Sequence, residues 1–291
     1  MLYRIITIVF PLFAVVMIGF LYGRRCQPDM TAANRMNMNV FLPALIFTAL
    51  AGKSFNLADN LSLIIGCVVV VLGSGILAWP LARMVQADPK TLLPPVMFNN
   101  VGNMGLPLMV LTFGDGALGA AVVLMLVTTT LQFLVSPWLI NGRFSVGTFW
   151  REPFLIAAAL GVIVSLSGIT VWSPLMAGTK MLGDISLGLM IFSLGARLSS
   201  TRPRRMLGIG IIGAVITPVT GMLLAWAFGV LTELGKAEMD ILFIFGALPP
   251  AVTGFILADR YQQEPDKVAA IVAIGNASAL FFIPLALALR L

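Results

Sequence analysis

Apolar residues occur along this chain in long runs that are separated by short polar segments. Many runs reach about 18 residues or more, the length that a helix needs to cross a bilayer. The hydropathy pattern predicts ten membrane spans and no polar segment long enough for a second, soluble domain. The approximate limits of the spans are 5–23, 36–51, 61–82, 91–113, 117–140, 153–171, 181–198, 206–230, 240–260 and 266–289.

Two of these runs are interrupted by residues that disfavour helix. The fourth contains NNVGNMGLP (Asn99 to Pro107), and the ninth contains ALPPAVTG (Ala247 to Gly254). Asn, Gly and Pro are all poor residues for a helix interior. In hydrocarbon, irregular backbone is tolerated only where protein or a water-filled cavity covers it. The interruptions are therefore either kinks in ordinary bundle helices or breaks at a binding site.

The second half of the chain repeats the pattern of the first. LPALIFTALA in span 2 resembles LGLMIFSLGA in span 7, and three further matches keep the same order. The matched pairs are Pro11 with Pro153, Leu42 with Leu187, Leu77 with Leu224, and Ala120 with Ala269, at offsets of 142, 145, 147 and 149 residues. Each half holds five spans, so the second half would enter the membrane from the opposite side. Such inverted repeats are typical of secondary transporters. Chance similarity between Leu-rich helices is the alternative.

This register divides the chain into a first repeat (1–140), a short linker (141–152) and a second repeat (153–291). It also pairs the two interrupted spans with each other. Interruption at corresponding positions of two halves is the best indication that a sequence gives of a transporter binding site. We therefore expect spans 4 and 9 to break and cross.

Charge supports ten spans and gives them an orientation. Of the 18 Lys and Arg residues, 13 fall on one side of a ten-span arrangement. By the positive-inside rule that side is cytoplasmic, which puts both termini outside. The 13 residues are Arg24, Arg25, Arg35, Arg83, Lys90, Arg143, Arg151, Arg197, Arg202, Arg204, Arg205, Arg260 and Lys267. Because the basic residues lie in loops between spans, the net charge of +6 does not indicate a nucleic-acid partner.

The residue inventory argues against enzymatic chemistry. The chain has no His, which excludes Ser–His and Cys–His catalysis and His-ligated metal sites. Its two cysteines cannot form a disulfide framework, and its acidic residues do not form a convincing aspartyl dyad. We predict neither a cofactor nor a metal site, and we interpret the chain as a carrier. An intramembrane enzyme and a channel are the weaker alternatives.

The interrupted segments predict an anion site. If both spans break in mid-membrane, two helix N-termini meet there, and each carries partial positive charge and free N–H groups. Asn side chains add neutral donors. No Lys or Arg lies near in sequence, so dipoles and amides would hold the anion. The candidate substrate-binding residues are Asn100, Gly102, Asn103, Pro107, Pro249, Pro250, Val252 and Thr253.

A few other polar residues fall within spans. Asp184 lies in span 7 at the register position of Asn39 in span 2, and the pair is a candidate coupling or proton site. Asp184 could equally be a first-turn acid near the membrane edge. Thr128, Thr129 and Asn276 are a candidate cation site, with hydrogen bonding between neighbouring helices as the alternative.

Three segments resemble the auxin efflux carrier family, which includes plant carriers and bacterial malonate-type permeases. They are NVGNMGLP from Asn100, MLGDISLGLMIFSLGARL from Met181 and ALPPAVTGFILADRY from Ala247. The resemblance implies an all-α, ten-span inverted-repeat fold like that of sodium/proton antiporters and bile-acid symporters. Spans 1, 2, 6 and 7 would form a scaffold, and spans 3–5 and 8–10 would form a transport domain. It also implies a substrate carboxylate at the crossing, with Asn100 as the family's crossover Asn.

The resulting expectation is a multi-pass carrier of the bacterial inner membrane. It would move small organic anions, auxin-like or malonate-like carboxylates, by elevator-type alternating access. The ninth-span crossing lacks the carboxylate found in related sodium symporters, so sodium-independent transport is favoured, and a sodium-coupled symporter of the same fold is the alternative. The long loop that many plant carriers have between spans 5 and 6 is absent here. The expected partners are a carboxylate and the lipid bilayer, with a homodimer left open.

Overall fold

The computed structural model describes residues 2–52, 58–142, 152–200 and 206–291. Within these ranges the chain forms thirteen α-helices and no β-strand. The first seven helices are α1 (Leu2–Cys26), α2 (Thr31–Met36), α3 (Leu42–Ala51), α4 (Leu61–Met84), α5 (Pro89–Met97), α6 (Leu106–Phe113) and α7 (Leu118–Asn141). The others are α8 (Pro153–Ser167), α9 (Ser173–Ser200), α10 (Leu207–Leu231), α11 (Lys236–Gly246), α12 (Thr253–Arg260) and α13 (Pro265–Arg290).

Each of the ten apolar segments predicted from the sequence contains at least one of these helices. Three segments are composite. A π-helix, Asn37–Phe41, joins α2 to α3. A second π-helix, Val101–Gly105, leads into α6 after the interruption that follows α5. The third composite segment is α11 and α12, which are separated by residues 247–252. Two of the three are the segments whose Asn, Gly and Pro content predicted a break.

Several helix ends differ from the predicted limits by four residues or more, and two of these differences have a clear local cause. Helix α9 begins at Ser173 rather than at 181, because Pro174 is tolerated in a first helical turn and Lys180 pairs with Asp184 one turn on. Helix α8 ends at Ser167 rather than at 171. Gly168 ends it by adopting a left-handed conformation with φ of 68°, a common way for a helix to stop.

Six helical segments are long and apolar enough to cross a membrane. They are Leu2–Cys26, Ala58–Met84, Asp115–Asn141, Ser173–Ser199, Leu207–Leu231 and Pro265–Arg290. Two shorter apolar helical segments, Val101–Phe113 and Pro153–Ser167, accompany them. The protein is therefore an all-helical, polytopic membrane protein.

Several features used in the charge argument lie outside the described residues. The linker predicted at 141–152 falls there for the most part, since residues 143–151 are not described. The basic residues outside the described ranges are Lys53, Arg143, Arg151, Arg202, Arg204 and Arg205.

The helices pack in two groups. In one group, α1 lies against α9, and α3 lies against α8 and α9. In the other, α10 packs on α4, α11 and α13, while α4 also contacts α5 and α7. The first group is packed backbone to backbone: a Cβ on Gly19 would overlap the Phe192 carbonyl, and one on Gly195 would overlap the Val16 carbonyl. Small residues at such contacts let membrane helices approach closely.

A polar junction ties the start of α5 to the loop before α13. Thr91 donates its hydroxyl to Glu264 at 2.6 Å, and Gln263 donates to Asp88 at 2.9 Å. The Lys267 ammonium, followed by the Thr91 hydroxyl, lowers the pKa of Glu264. This junction holds the start of the first interrupted segment, at α5, against the loop that follows the second, after α12.

Candidate functional site

The two interrupted segments meet in an antiparallel pairing. After α5 and α11 end, the chain continues as extended or irregular backbone, and Asn99 pairs with Pro250 across the interruption. The backbone N–H of Asn100 donates to the Pro249 carbonyl at 2.7 Å, and the backbone N–H of Ala251 donates to the Phe98 carbonyl at 2.8 Å. The breaks seen in the sequence are therefore in direct contact. We call this pairing of residues 98–100 with 247–252 the crossing.

The crossing exists because its backbone groups need partners that their own helices cannot supply. Pro249 and Pro250 have no N–H, so they cannot donate to the Phe245 and Gly246 carbonyls, the acceptors four residues back in a continuous α-helix. The Asn99 side chain takes one of these carbonyls, donating to Phe245 at 2.7 Å. Asn99 is 5% exposed, and polar groups buried to this extent are normally hydrogen-bonded within the protein.

Asn100 and Asn276 join the crossing to α13. The Asn100 amide group donates to the Asn276 side-chain oxygen at 2.9 Å. Asn276 in turn donates to the Pro250 carbonyl at 3.0 Å and to the Val272 carbonyl at 2.8 Å. Both side chains are almost wholly buried, at 3% and 2% exposure. Asn276 thus belongs to the crossing and fixes the orientation of Asn100.

The other predicted substrate residues divide by exposure. Gly102 and Asn103 are partly exposed at the start of the π-helix, and Gly102 lies beside Met125 and Met190. Prolines 107, 249 and 250 are buried and shape the backbone. Thr253, at the first position of α12, is partly exposed and donates to Gln132 at 2.7 Å. Val252 precedes it and is buried.

Four helix ends lie at the crossing. Helices α5 and α11 end here, and the π-helix leading into α6 and helix α12 begin here, where the N–H groups of Val101 and Gly254 bond to the carbonyls of Asn99 and Ala251. The two N-terminal ends carry partial positive charge, and the two C-terminal ends carry partial negative charge. The hydrogen-bond partners of the crossing in the described part of the chain are amides, a hydroxyl and carbonyls, and none is a carboxylate.

A cavity of about 1730 Å³ reaches the crossing from the end of the bundle where α1 and α9 finish. It lies between these two helices on one side and α12 and α13 on the other. Its lining includes Phe20, Gly23, Arg24, Thr31, Ser193, Arg197, Met206, Val252, Phe255, Asp266 and Ala273. Of the predicted substrate residues that the structure describes, Val252 is the one that lines it.

Asp184 and Asn39 are not buried in the bundle. The Asp184 side chain is 56% exposed and forms an ion pair with Lys180 at 3.0 Å, which also lies 4.0 Å from Asp115. Asn39 is exposed, whereas Asn37, two residues earlier in the same π-helix, is buried and accepts a hydrogen bond from Ser186 at 2.8 Å. This geometry fits the alternative stated for Asp184, an acid near the membrane edge, better than it fits a buried proton site.

The candidate cation residues are not brought together by hydrogen bonds. The buried Thr128 hydroxyl lies 3.3 Å from the Cys67 thiol of α4, while Asn276 is engaged at the crossing. Thr129 is partly exposed on α7. Their described contacts fit the alternative stated for them, hydrogen bonding between neighbouring helices.

Three residues of interest were not singled out as site residues from the sequence. The Gln132 side-chain oxygen accepts a hydrogen bond from the Thr253 hydroxyl, while its amide nitrogen is buried without a partner in the described structure. Ser193 and Arg197 both line the cavity. Their spacing of four residues, on one face of a helix, was the available signal, but Arg197 counted only as a loop-side charge.

Comparison with known proteins decides the class of the molecule. A family described as "Membrane transport protein" matches residues 136–287, which is more than half of the chain. This chain belongs to the membrane transport protein family. The resemblance to auxin efflux carriers is thereby confirmed, and this family member is a transporter rather than an enzyme.

Individual relatives match this family member over nearly its whole length. One is "Uncharacterized transporter YfdV" of Escherichia coli (strain K12), 20% identical over 293 residues, which cover 91% of each chain. Another is an "Uncharacterized transporter" of Methanothermobacter thermautotrophicus, 25% identical over 287 residues, which cover 93% of each chain. The similarity therefore includes both interrupted segments.

Proposed function

We propose that this protein is a secondary carrier of small organic anions, with a substrate carboxylate bound at the crossing. The observation that carries the proposal is the antiparallel pairing of Asn99 with Pro250, which brings two helix N-termini to one point. Discontinuous helices with their N-termini facing an anionic group are a recurrent substrate site in secondary transporters. A site made of dipoles and amides holds an anion weakly enough to release it.

The proposed architecture is ten spans in two inverted repeats. One support comes from glycine packing. Gly19 meets the Phe192 carbonyl, and a Cβ on Gly161 would lie 3.5 Å from the Phe47 carbonyl. Gly19 and Gly161 are 142 residues apart, and Phe47 and Phe192 are 145 residues apart. These are offsets that relate the two halves in the sequence, so each contact is the counterpart of the other. An inverted repeat has this reciprocity, since each contact between halves occurs twice.

We further propose that the two helix groups move relative to each other. Helices α1–α3, α8 and α9 would form the scaffold, and α4–α7 with α10–α13 would carry the crossing. The cavity between α1 and α9 on one side and α12 and α13 on the other is where such groups would separate during elevator-type alternating access. By the positive-inside rule this end is cytoplasmic, in a bacterial inner membrane, with both termini outside.

Transport is proposed to be sodium-independent. The described hydrogen bonds of the crossing involve no carboxylate, and Thr128 is engaged with Cys67 rather than with Asn276. For an exported monoanion, the membrane potential alone supplies about 2.3 kcal/mol per 100 mV. Uptake into proteoliposomes that is equal in sodium and choline buffers is expected, and strong dependence on a sodium gradient would favour the symporter alternative.

Direct binding to purified protein tests the site. Malonate and indole-3-acetate are titrated by calorimetry into the wild type and Asn100→Ala, after a thermal-shift screen selects conditions in which ligand stabilises the native protein. Asn100→Ala should weaken carboxylate binding by about tenfold or more, because it removes the hydrogen bond to Asn276 and loosens the backbone of the crossing. Thr112→Ala is the matched control, since the hydrogen bond of the Thr112 hydroxyl in the described structure lies within α6, to Leu108. Unchanged binding in Asn100→Ala would contradict the assigned site.

A further inference from the structure

A groove on the outside of the helix bundle lies between α10, α11 and α13. Its volume is about 410 Å³, which is in the range of sites for small molecules. The residues that line it are Met222, Leu223, Trp226, Phe243, Leu289 and Arg290. Because this lining shares no residue with the crossing or with the larger cavity, the proposed substrate site does not account for it.

The groove has buried apolar residues at its floor and exposed apolar residues at its sides. Met222 and Phe243 are 9% and 6% exposed, whereas Leu223 and Trp226 are both 52% exposed and Leu289 is 61% exposed. On a polytopic membrane protein, apolar side chains on the outside of the bundle contact lipid tails, which are as apolar as leucine. The groove is therefore open to the acyl chains of the bilayer.

The groove lies close to the membrane–water boundary. Helix α10 ends at Leu231 and helix α13 at Arg290, while α11 begins at Lys236, and the contacts of Lys236 and Arg290 with Asp240 hold the last two ends together. Trp226 lies in the penultimate turn of α10, and tryptophan is enriched at this boundary. Lipid headgroups occupy the same depth.

Arg290 places a cationic group in this lining and keeps donors available for a ligand. Its Nε donates to Oδ1 of Asp240 at 2.7 Å, and its Nη2 contacts the same oxygen. The other carboxylate oxygen faces Lys236 at 3.6 Å. A guanidinium has five N–H donors, so the ion pair with Asp240 leaves three of them for a further acceptor. Phosphate oxygens are acceptors that a guanidinium fits well.

The charges around Arg290 are mixed in sign. Lys236 adds a positive charge at the start of α11, while Glu238 in the same turn and Glu233 in the preceding loop add negative charges. Such surroundings complement a headgroup that carries both a phosphate and an ammonium better than one that is only anionic.

We propose that this groove binds a phospholipid of the bilayer, phosphatidylethanolamine, with an acyl chain in the groove and the phosphate on Arg290. The lipid would contact α10, α11 and α13 together. Helix α11 leads into the crossing and α13 carries Asn276, so the bound lipid would stabilise the helices that hold the crossing. This site is independent of the substrate that the crossing binds.

A lipid without a phosphate tests the proposal. Native mass spectrometry of full-length protein released from micelles compares dioleoyl phosphatidylethanolamine with dioleoylglycerol, which has the same acyl chains. The wild type should bind the phospholipid about tenfold or more tightly, because only its phosphate accepts from Arg290. The phospholipid should also raise the melting temperature more than dioleoylglycerol does, since it binds the native protein.

Variants of Arg290 test the headgroup contact. Arg290→Lys should keep part of the preference, because it keeps the charge but loses the fork of donors. Asp240→Asn combined with Arg290→Gln avoids leaving a buried carboxylate unpaired, and it should reduce the preference to within about twofold. Lys180→Gln is the control, since it removes a cation from α9 outside the groove and should leave the preference unchanged.

Trp226→Ala tests the acyl-chain contact without touching the ion pair. It should lower the affinity for both lipids by about threefold or more and leave their ratio unchanged, because it removes one side of the groove. Trp172→Ala is the matched control, since Trp172 is 73% exposed and lies outside the groove. This pair of variants reports on the site even if the double variant does not fold.

The outcomes that would overturn the lipid site are distinct from those that bear on transport. Equal affinity for the two lipids in the wild type, an unchanged preference in the double variant, or equal losses in Trp226→Ala and Trp172→Ala would each overturn it. The proposed carboxylate carrier would stand in every one of these cases, because the crossing and the groove share no residue.

Discussion

Asn276 illustrates how single side chains hold broken backbone inside a membrane protein. It receives the Asn100 amide and donates to two carbonyls, one on Pro250 and one in its own helix. The Pro250 carbonyl belongs to an interrupted segment and has no helical N–H facing it. An amide side chain offers both a donor group and an acceptor, and this position needs both.

Asn276→Ala should therefore destabilise the protein more than a neighbouring polar substitution. It leaves the Asn100 amide and the Pro250 carbonyl buried without this partner, at about 1–3 kcal/mol for each group left unsatisfied. Ser278→Ala on the same helix is the control, because Ser278 bonds mainly to its own turn at Gly275. Melting followed by fluorescence-detected size exclusion measures both, and equal melting temperatures for the two variants would contradict this role.

At the residue scale the sequence predicted the place of the crossing better than its contacts. Asn99 to Pro107 and Ala247 to Gly254 were recognisable because Asn, Gly and Pro conflict with an apolar helix. The bond between Asn100 and Asn276 joins residues 176 positions apart, and no local pattern encodes it. Asn39 was chosen over Asn37 because the repeat register pointed there, while burial selected the latter.

At the scale of elements, close helix packing depends on glycines whose missing side chains admit a neighbouring backbone. Helix α9 shows both kinds of position. Gly195 faces the Val16 carbonyl of α1, whereas a Cβ on Gly188 would have nothing within 4 Å. Rigid attachment of α1 to α9 would give the proposed scaffold a fixed surface against which the other group moves.

The same substitution at these two glycines should have opposite effects. Gly195→Ala forces α9 away from α1, since the overlap is with backbone rather than a flexible side chain. Gly188→Ala should leave stability equal or raise it by about 0.5–1 kcal/mol, because alanine restricts the unfolded chain and favours helix. Thermal melting of the two purified variants checks this. A Gly195→Ala protein as stable as Gly188→Ala would show that the contact between α1 and α9 is not tight.

Helix positions were predictable from hydropathy, but their ends and irregularities were not. The start of α9 at Ser173 follows from a proline in the first turn and an ion pair, which a hydropathy window averages away. The two π-helices, Asn37–Phe41 and Val101–Gly105, leave no mark in a hydropathy pattern. The gap between α11 and α12 was predictable because two consecutive prolines remove two donors.

At the scale of the whole molecule, the charge asymmetry makes a prediction about topology that the native cysteines can test. Cys26 is exposed at the end of α1, and Cys67 is buried in α4. If the Arg-rich end is cytoplasmic, a membrane-impermeant maleimide should label Cys26 in inside-out vesicles and not in intact cells. Cys26→Ser should abolish labelling, because Cys67 is inaccessible. Labelling of intact cells would contradict the proposed orientation.

The arrangement of the helices in the whole molecule was predictable only where a packing contact also leaves a pattern in the sequence. The proposed inverted repeat would explain why the contacts of Gly19 and Gly161 are related by the offsets of the sequence matches, because a repeated helix pair needs a small residue at the same place twice. The cavity was not predictable, since its walls come from α1, α2, α9, α12 and α13, which lie in three separate parts of the chain.

The central claim is that the protein is a carrier that binds carboxylates at the crossing. Counterflow in proteoliposomes tests this claim most directly. Vesicles loaded with unlabelled malonate and diluted into labelled malonate without sodium should accumulate label transiently with wild-type protein and with Thr112→Ala. Asn100→Ala should lose the overshoot, because a carrier must bind its substrate to exchange it. Absence of overshoot in the wild type, or an undiminished overshoot in Asn100→Ala, would contradict the account.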